Sequence, residues 1–153
     1  MQELKEHHRA LVAAKKGEKG LLIVHTGDGK GKSTAAFGLV LRSAGHGLRC
    51  AVVQFIKGAW STGEQRALER FADVVTFQAM GEGFTWDTQD RARDIAVAEK
   101  AWDRAKELLE DPTLHLVVLD EVNVAIRYGY LSAERVLADL AARPAMQHVV
   151  LTG

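Results

Sequence analysis

Short apolar runs alternate with longer amphipathic segments along most of the chain. Continuous apolar stretches predict strands at 21–25, 50–56, 74–78, 114–119 and 148–151. Apolar residues at helical spacing predict helices between them, at 33–44, 64–71, 88–109 and 131–143. Such alternation is typical of βαβ units. It predicts a three-layer α/β domain with a mainly parallel central sheet, whose first strand is covered on both faces.

The two ends of the chain differ from this pattern. Residues 1–16 read as a polar, partly amphipathic helix that stops at the glycines of 17–20. We therefore divide the chain into an N-terminal helical arm, 1–19, and a single domain, 20–153. Because the last predicted strand reaches the end of the sequence, we expect the natural C-terminus to lie beyond it.

Composition narrows the class of protein. The 153 residues suit one domain, and their formal net charge of zero shows no basic excess that would indicate nucleic acid. The single cysteine, Cys50, excludes an internal disulfide and a cysteine metal cluster, and its apolar neighbours predict that it is buried. We find no signal peptide and no run long enough to span a membrane. We expect a cytoplasmic protein that binds neither nucleic acid nor membrane.

A glycine-rich loop follows the first predicted strand and precedes a helix. Gly31-Lys32-Ser33 completes a Walker-type pattern whose first glycine position holds Thr26. Glycines let backbone amides converge on phosphate, and Lys32 and Lys30 add positive charge. Ser33 can ligate a metal ion. The loop predicts a P-loop NTPase-like fold that binds ATP through Thr26, Gly27, Asp28, Gly29, Lys30, Gly31, Lys32, Ser33 and Thr34.

An acidic pair at the end of another apolar strand supports this interpretation. Asp120 and Glu121 follow the strand at 114–119, as in a Walker B segment that holds Mg²⁺ or Mn²⁺. Right-handed crossovers bring the carboxyl ends of parallel strands to one edge of the sheet, where ligands bind. The loop, the acidic pair and the turn at 54–58 are therefore predicted to meet. The loop alone does not choose between attack at the γ-phosphate and displacement of the whole triphosphate.

From residue 20 to the end, the sequence resembles the P-loop ATP:corrinoid adenosyltransferases. The matching stretches are TGDGKGKSTAAFG at 26–38, LRSAGHG at 41–47, VQFIKGAW at 53–60, GE at 63–64, GFTW at 83–86 and LDE at 119–121. Threonine at the first glycine position is shared with that family. The resemblance implies that a Co(I) corrinoid, such as reduced cobalamin, attacks the 5′-carbon of ATP and releases triphosphate. It also implies that Ser33 and Glu121 ligate the metal ion.

Further expectations come from the same resemblance. Phe84 and Trp86 match the aromatic pair that displaces the lower axial ligand of Co(II), which makes reduction by a donor such as a reduced flavoprotein feasible. The family also implies a homodimer in which the N-terminal helix covers the partner's corrin site. Gln54 and Trp60 follow a strand at the same edge and are candidates for lining the corrin or nucleotide site. Lys57 and Glu64 could belong to the site or could equally form a solvated pair. Trp102, on an apolar helical stripe, is interpreted as a core residue.

Two other function classes remain open on the residues alone. One is a P-loop ATPase or small-molecule kinase acting at the γ-phosphate, in which Asp120 and Glu121 would suit activation of water. The other is a nucleotide-dependent binding module with little turnover. The products distinguish the ATPase or kinase from adenosyl transfer. The ATPase or kinase releases ADP, whereas adenosyl transfer releases triphosphate. Binding of ATP without consumption, in the presence of reduced corrinoid, would favour the binding module.

Overall fold

The computed structural model describes residues 2–15, 17–56, 62–81 and 91–153, with the side chain of residue 3 left aside. The strands are β1 (Leu22–His25), β2 (Cys50–Gln54), β3 (Val75–Ala79), β4 (Leu116–Asp120) and β5 (His148–Thr152). The helices are α1 (Gln2–Ala13), α2 (Lys32–Gly45), α3 (Gly63–Leu68), α4 (Arg91–Leu109), α5 (Val122–Arg127) and α6 (Ala133–Ala142), with a 3₁₀ turn at Glu69–Phe71. No helix within these described ranges is both long and apolar enough to cross a membrane.

All five strands pair in parallel, in the order β1-β5-β4-β2-β3. The α/β fold with a parallel central sheet, as expected of a P-loop NTPase-like domain, is confirmed. The register sets His25 beside Thr152 and Gln54 beside Asp120 at the carboxyl edge of the sheet. The strands that precede the glycine loop and the acidic pair are therefore separated by β5 alone.

Helices cover both faces of the sheet. Side chains alternate along each central strand, so each strand contributes to both cores. Ala51 and Val53 of β2 face a core shared with α4, α5 and α6, whereas Cys50 and Val52 face a core shared with α2 and α3. Strands β2 and β4 are buried at every position. Cover on both faces explains the continuous apolar runs of these two strands.

The first strand departs from the prediction. Along β1, exposed and half-buried residues alternate, and Leu22 and Val24 retain 43% and 54% of their exposure. The expectation that β1 is covered on both faces is wrong. At this edge of the described sheet, Ile23 packs against the core shared with α2, whereas Leu22 and Val24, on the opposite face, are exposed. A run of four or five apolar residues does not reveal its place in the strand order.

The predicted core residues are buried. Trp102 is fully buried, and its indole Nε1 donates a hydrogen bond of 2.8 Å to Asp139 on α6. Cys50 is also buried, and burial raises the pKa of its thiol. Ser132 caps α6, since its hydroxyl accepts a hydrogen bond from the Arg135 amide. The N-terminal helix forms over Gln2–Ala13, and its described side chains are exposed.

Candidate active site at the carboxyl edge of the sheet

The glycine loop joins the end of β1 to the start of α2, as predicted. Gly27 and Gly31 have φ angles of 111° and 102°, a region that side-chain-bearing residues rarely adopt. A Cβ atom at either position would meet no other heavy atom within 4 Å. Glycine is therefore required at these two positions by backbone conformation, and not by close packing.

Lys32 crosses this loop with its side chain. Its Nζ donates hydrogen bonds of 2.6 Å to the carbonyl of Gly27 and 2.8 Å to that of Gly29. The ammonium group is thus held by the loop itself, while the first amides of α2 have no partner within the helix. The charge of Lys32 and the positive end of the α2 dipole therefore lie together at the loop, which is the arrangement that binds phosphate.

The other predicted residues lie in the same loop and in the first turn of α2. Ser33 and Thr34 occupy the first turn of α2, and Ser33 is half-buried. Thr26, Asp28 and Lys30 are exposed. His25, at the end of β1, places its Nδ1 at 3.3 Å from the Lys32 carbonyl and so joins the strand to the helix start.

The structure brings Glu121 into the electrostatic range of the same loop. Burial raises the pKa of its carboxyl group, the charge of Asp120 adds to the rise, and Lys32 and Lys30 oppose it. Its backbone has φ 61° and ψ 16°, the left-handed conformation, although it is not glycine. Such a residue costs about 1–2 kcal/mol in strain, and non-glycine residues of this kind cluster at functional sites.

Asp120 is 1% exposed and is bound on both sides by neighbouring strands. Gln54 Nε2 donates to Asp120 Oδ2 at 2.9 Å, and Thr152 Oγ1 donates to Asp120 Oδ1 at 2.8 Å. The same Thr152 oxygen accepts from the Glu121 amide at 2.9 Å. Sequence reasoning named Gln54 as a candidate but missed Thr152, since its place beside Asp120 depends on the strand order.

Oxygen-bearing side chains at this edge of the sheet could hold a hard divalent cation only together with other ligands. In the described part of the chain, no three His, Cys, Asp or Glu side chains are grouped to hold a metal ion unaided. Ser33 could supply one hydroxyl and Glu121 one carboxylate, whose pKa is raised by burial and by the charge of Asp120. Mg²⁺ favours oxygen ligands of this kind together with substrate phosphates.

Several predicted residues lie outside the described residues. These are Phe84 and Trp86 of the aromatic pair, together with Lys57 and Trp60. Glu64, which the sequence left open between the site and a solvated pair with Lys57, is exposed at the start of α3.

Comparison with known proteins identifies the family. Residues 18–153 match the family described as ATP:corrinoid adenosyltransferase BtuR/CobO/CobP. A corrinoid adenosyltransferase of Pseudomonas aeruginosa is 61% identical over 142 residues, which is 93% of this chain and 70% of the relative. The corrinoid adenosyltransferase CobA of Salmonella typhimurium is 48% identical over 152 residues, 99% of this chain and 76% of the relative. The chain therefore belongs to the ATP:corrinoid adenosyltransferase family.

Proposed function

We propose that the chain transfers the 5′-deoxyadenosyl group of ATP to the Co(I) centre of a corrinoid and releases triphosphate. The observation that carries the proposal is the ammonium of Lys32, which is fixed within 2.8 Å of two loop carbonyls at the start of α2. It supplies a positioned charge where a polyphosphate is expected. Membership in the adenosyltransferase family supports the choice of reaction.

In the proposed reaction, cobalt supplies the electron pair. A Co–C bond forms at C5′ of ATP while the C5′–O5′ bond breaks, and the electron pair of the broken bond leaves with the triphosphate. Lys32, Lys30 and the α2 amides stabilise the charge that grows on the departing oxygen, which is the type of stabilisation that contributes most to many enzymes. The chain needs no nucleophile of its own.

Ser33 and Glu121 are the side chains that would hold Mg²⁺ or Mn²⁺ beside the triphosphate. When bound, the ion neutralises charge on the phosphate oxygens of the leaving group. We place Asp120 behind this pair, because its two oxygens already accept from Gln54 and Thr152. Its charge still favours a cation at Glu121.

The proposal also covers the residues that contact the corrin and the partners. Phe84 and Trp86 would displace the lower axial ligand, so that a donor such as a reduced flavoprotein can reduce Co(II). The enzyme would act as a cytoplasmic homodimer, with 1–19 as an arm and 20–153 as the catalytic domain. The exposed apolar residues of α1, among them Leu4 and Leu11, are consistent with an arm that docks on a partner subunit.

Product analysis tests the reaction directly. The full chain is incubated with ATP, Mg²⁺ and chemically reduced cobalamin, while ³¹P NMR follows the phosphates and absorbance follows the corrin. We expect one triphosphate for each Co–C bond formed. ADP and phosphate as the only products would reject adenosyl transfer in favour of reaction at the γ-phosphate.

The loop's role is tested with Lys32→Ala against Lys100→Ala, a matched loss of charge at an exposed position of α4, outside the loop and the arm. We expect Lys32→Ala to lose about 10²–10³-fold in turnover, as when a preorganised transition-state donor is removed. Lys100→Ala should retain wild-type turnover. Full activity of Lys32→Ala would refute the assignment of the phosphate site.

The role of the aromatic pair is tested by comparing turnover from two oxidation states of cobalt. Phe84→Ala and Trp86→Ala should impair turnover from Co(II) cobalamin with a reductant far more than turnover from pre-reduced Co(I), because axial displacement matters only before reduction. Equal losses from both starting states would remove this role.

A further inference from the structure

The hydroxyl of Thr152 makes two directed hydrogen bonds at the edge of the site. The Glu121 amide can only donate, so the Thr152 oxygen accepts its proton at 2.9 Å. The hydroxyl proton is then directed to Asp120 Oδ1 at 2.8 Å. Thr152 is fully buried, so water does not replace either bond. One side chain therefore fixes both members of the acidic pair from the neighbouring strand.

The amide that Thr152 binds belongs to the strained residue. Glu121 follows the last residue of β4 and turns into the left-handed region before α5 begins at Val122. A left-handed residue with a side chain costs about 1–2 kcal/mol, and a buried amide without a partner would add about 1–3 kcal/mol. The bond to Thr152 removes the second cost and fixes the peptide plane from which the Glu121 side chain departs.

Asp120 completes the arrangement. Gln54 on β2 and Thr152 on β5 bind its two oxygens, so the carboxylate is tied to the strands on both sides of β4. Thr152 also lies beside His25, the last residue before the glycine loop. Thr152 thus lies between the end of β4 and the strand that adjoins the loop.

We infer that Thr152 is a positioning residue, which orients Glu121 for the cation that the triphosphate shares. This inference rests on the proposed function, since that proposal makes Glu121 a metal ligand. Residues that orient metal ligands typically contribute about 10–100-fold in metal affinity or activity. Thr152 touches neither substrate nor metal in this account and acts through the backbone of Glu121.

The test compares Thr152→Val, which keeps the shape and removes the hydroxyl, with Thr152→Ser, which restores it. Thr76→Val, the same chemical change at an exposed position of β3, is the control. The readouts are Mn²⁺ affinity in the presence of ATP, by electron paramagnetic resonance, and the Mg²⁺ concentration for half-maximal turnover. We expect Thr152→Val to weaken both by about tenfold or more, whereas Thr152→Ser and Thr76→Val should stay near wild type.

Glu121→Gln separates this inference from the proposed function. If Glu121→Gln weakens Mn²⁺ binding and folded Thr152→Val does not, the positioning role is overturned and the metal ligand stands. If Glu121→Gln binds Mn²⁺ as tightly as wild type, both assignments fail. A Thr152→Ser variant as weak as Thr152→Val would also refute the role of the hydroxyl. Should Thr152→Val not fold, Thr152→Ala repeats the comparison, with a wild-type Mn²⁺ affinity refuting the inference.

Discussion

Replacing Gly31 by alanine isolates the conformational cost of the phosphate loop. Gly31 has φ 102° and ψ −2°, and an added Cβ would find no heavy atom within 4 Å, so packing contributes nothing. Left-handed strain costs about 1–2 kcal/mol, and more at a φ this far above the left-handed well near 60°. Alanine regains about 0.4–1 kcal/mol by restricting the unfolded chain. The net loss in free energy of unfolding, relative to wild type, should be up to about 2 kcal/mol.

Gly29→Ala is the matched control in the same loop. An added Cβ there is equally unobstructed, and its φ lies outside the positive range. We expect Gly29→Ala to be neutral or stabilising by up to about 1 kcal/mol. Gly31→Ala should melt about 2–8 °C lower than Gly29→Ala, because only Gly31→Ala introduces left-handed strain. Thermal and urea unfolding of both variants measure the difference. Equal stability of the two variants would show that backbone conformation at Gly31 is not the constraint.

Three further predictions concern stability and pH. Trp102→Phe removes the hydrogen bond to Asp139 and should cost about 2–4 kcal/mol in urea unfolding, with a smaller cost in an Asp139→Asn background. Glu121→Gly relieves left-handed strain, so calorimetry should show unchanged or slightly higher stability, by up to about 1 kcal/mol, while turnover is lost. Burial, with His115 and Arg143, lowers the pKa of His148 below 6.5. Protonation therefore favours unfolding, so the urea midpoint should fall as pH drops below about 6.5 and His148→Asn should flatten this dependence.

Much of the fold was predictable because its signals are local. Strands β2 and β4 are covered on both faces, so each appears in the sequence as an unbroken apolar run. The glycine loop was predictable for the same reason, since its conformation depends on residues within one short segment. The meeting of this loop with Glu121 followed from a general property of parallel sheets, which is that strand ends share an edge.

What sequence reasoning missed depends on neighbours that are distant in the chain. Helix α5, Val122–Arg127, was not predicted, because six residues rich in β-branched side chains carry no helical signal. It forms where Val122 and Ala125 are buried against the core. The contact of Thr152 with Asp120 required knowing that β5 lies between β1 and β4. Neither feature is encoded by periodicity.

The helices that begin at the candidate site differ from other described helices in how their N-termini are capped. Among helices whose N-caps are described, α3 and α6 are capped by Thr62 and Ser132, each of which accepts from a backbone amide. Helices α2 and α5 instead begin at Gly31 and Glu121, which are left-handed and provide no side-chain cap. A missing cap forgoes about 0.5–2 kcal/mol. At α2 the absence of a side-chain cap leaves backbone amides beside Lys32 to which a phosphate can bind. The stability lost without the cap would therefore be recovered when a ligand binds. Nucleotide binding should therefore raise the melting temperature of wild type much more than that of Gly31→Ala, in which the loop amides turn away.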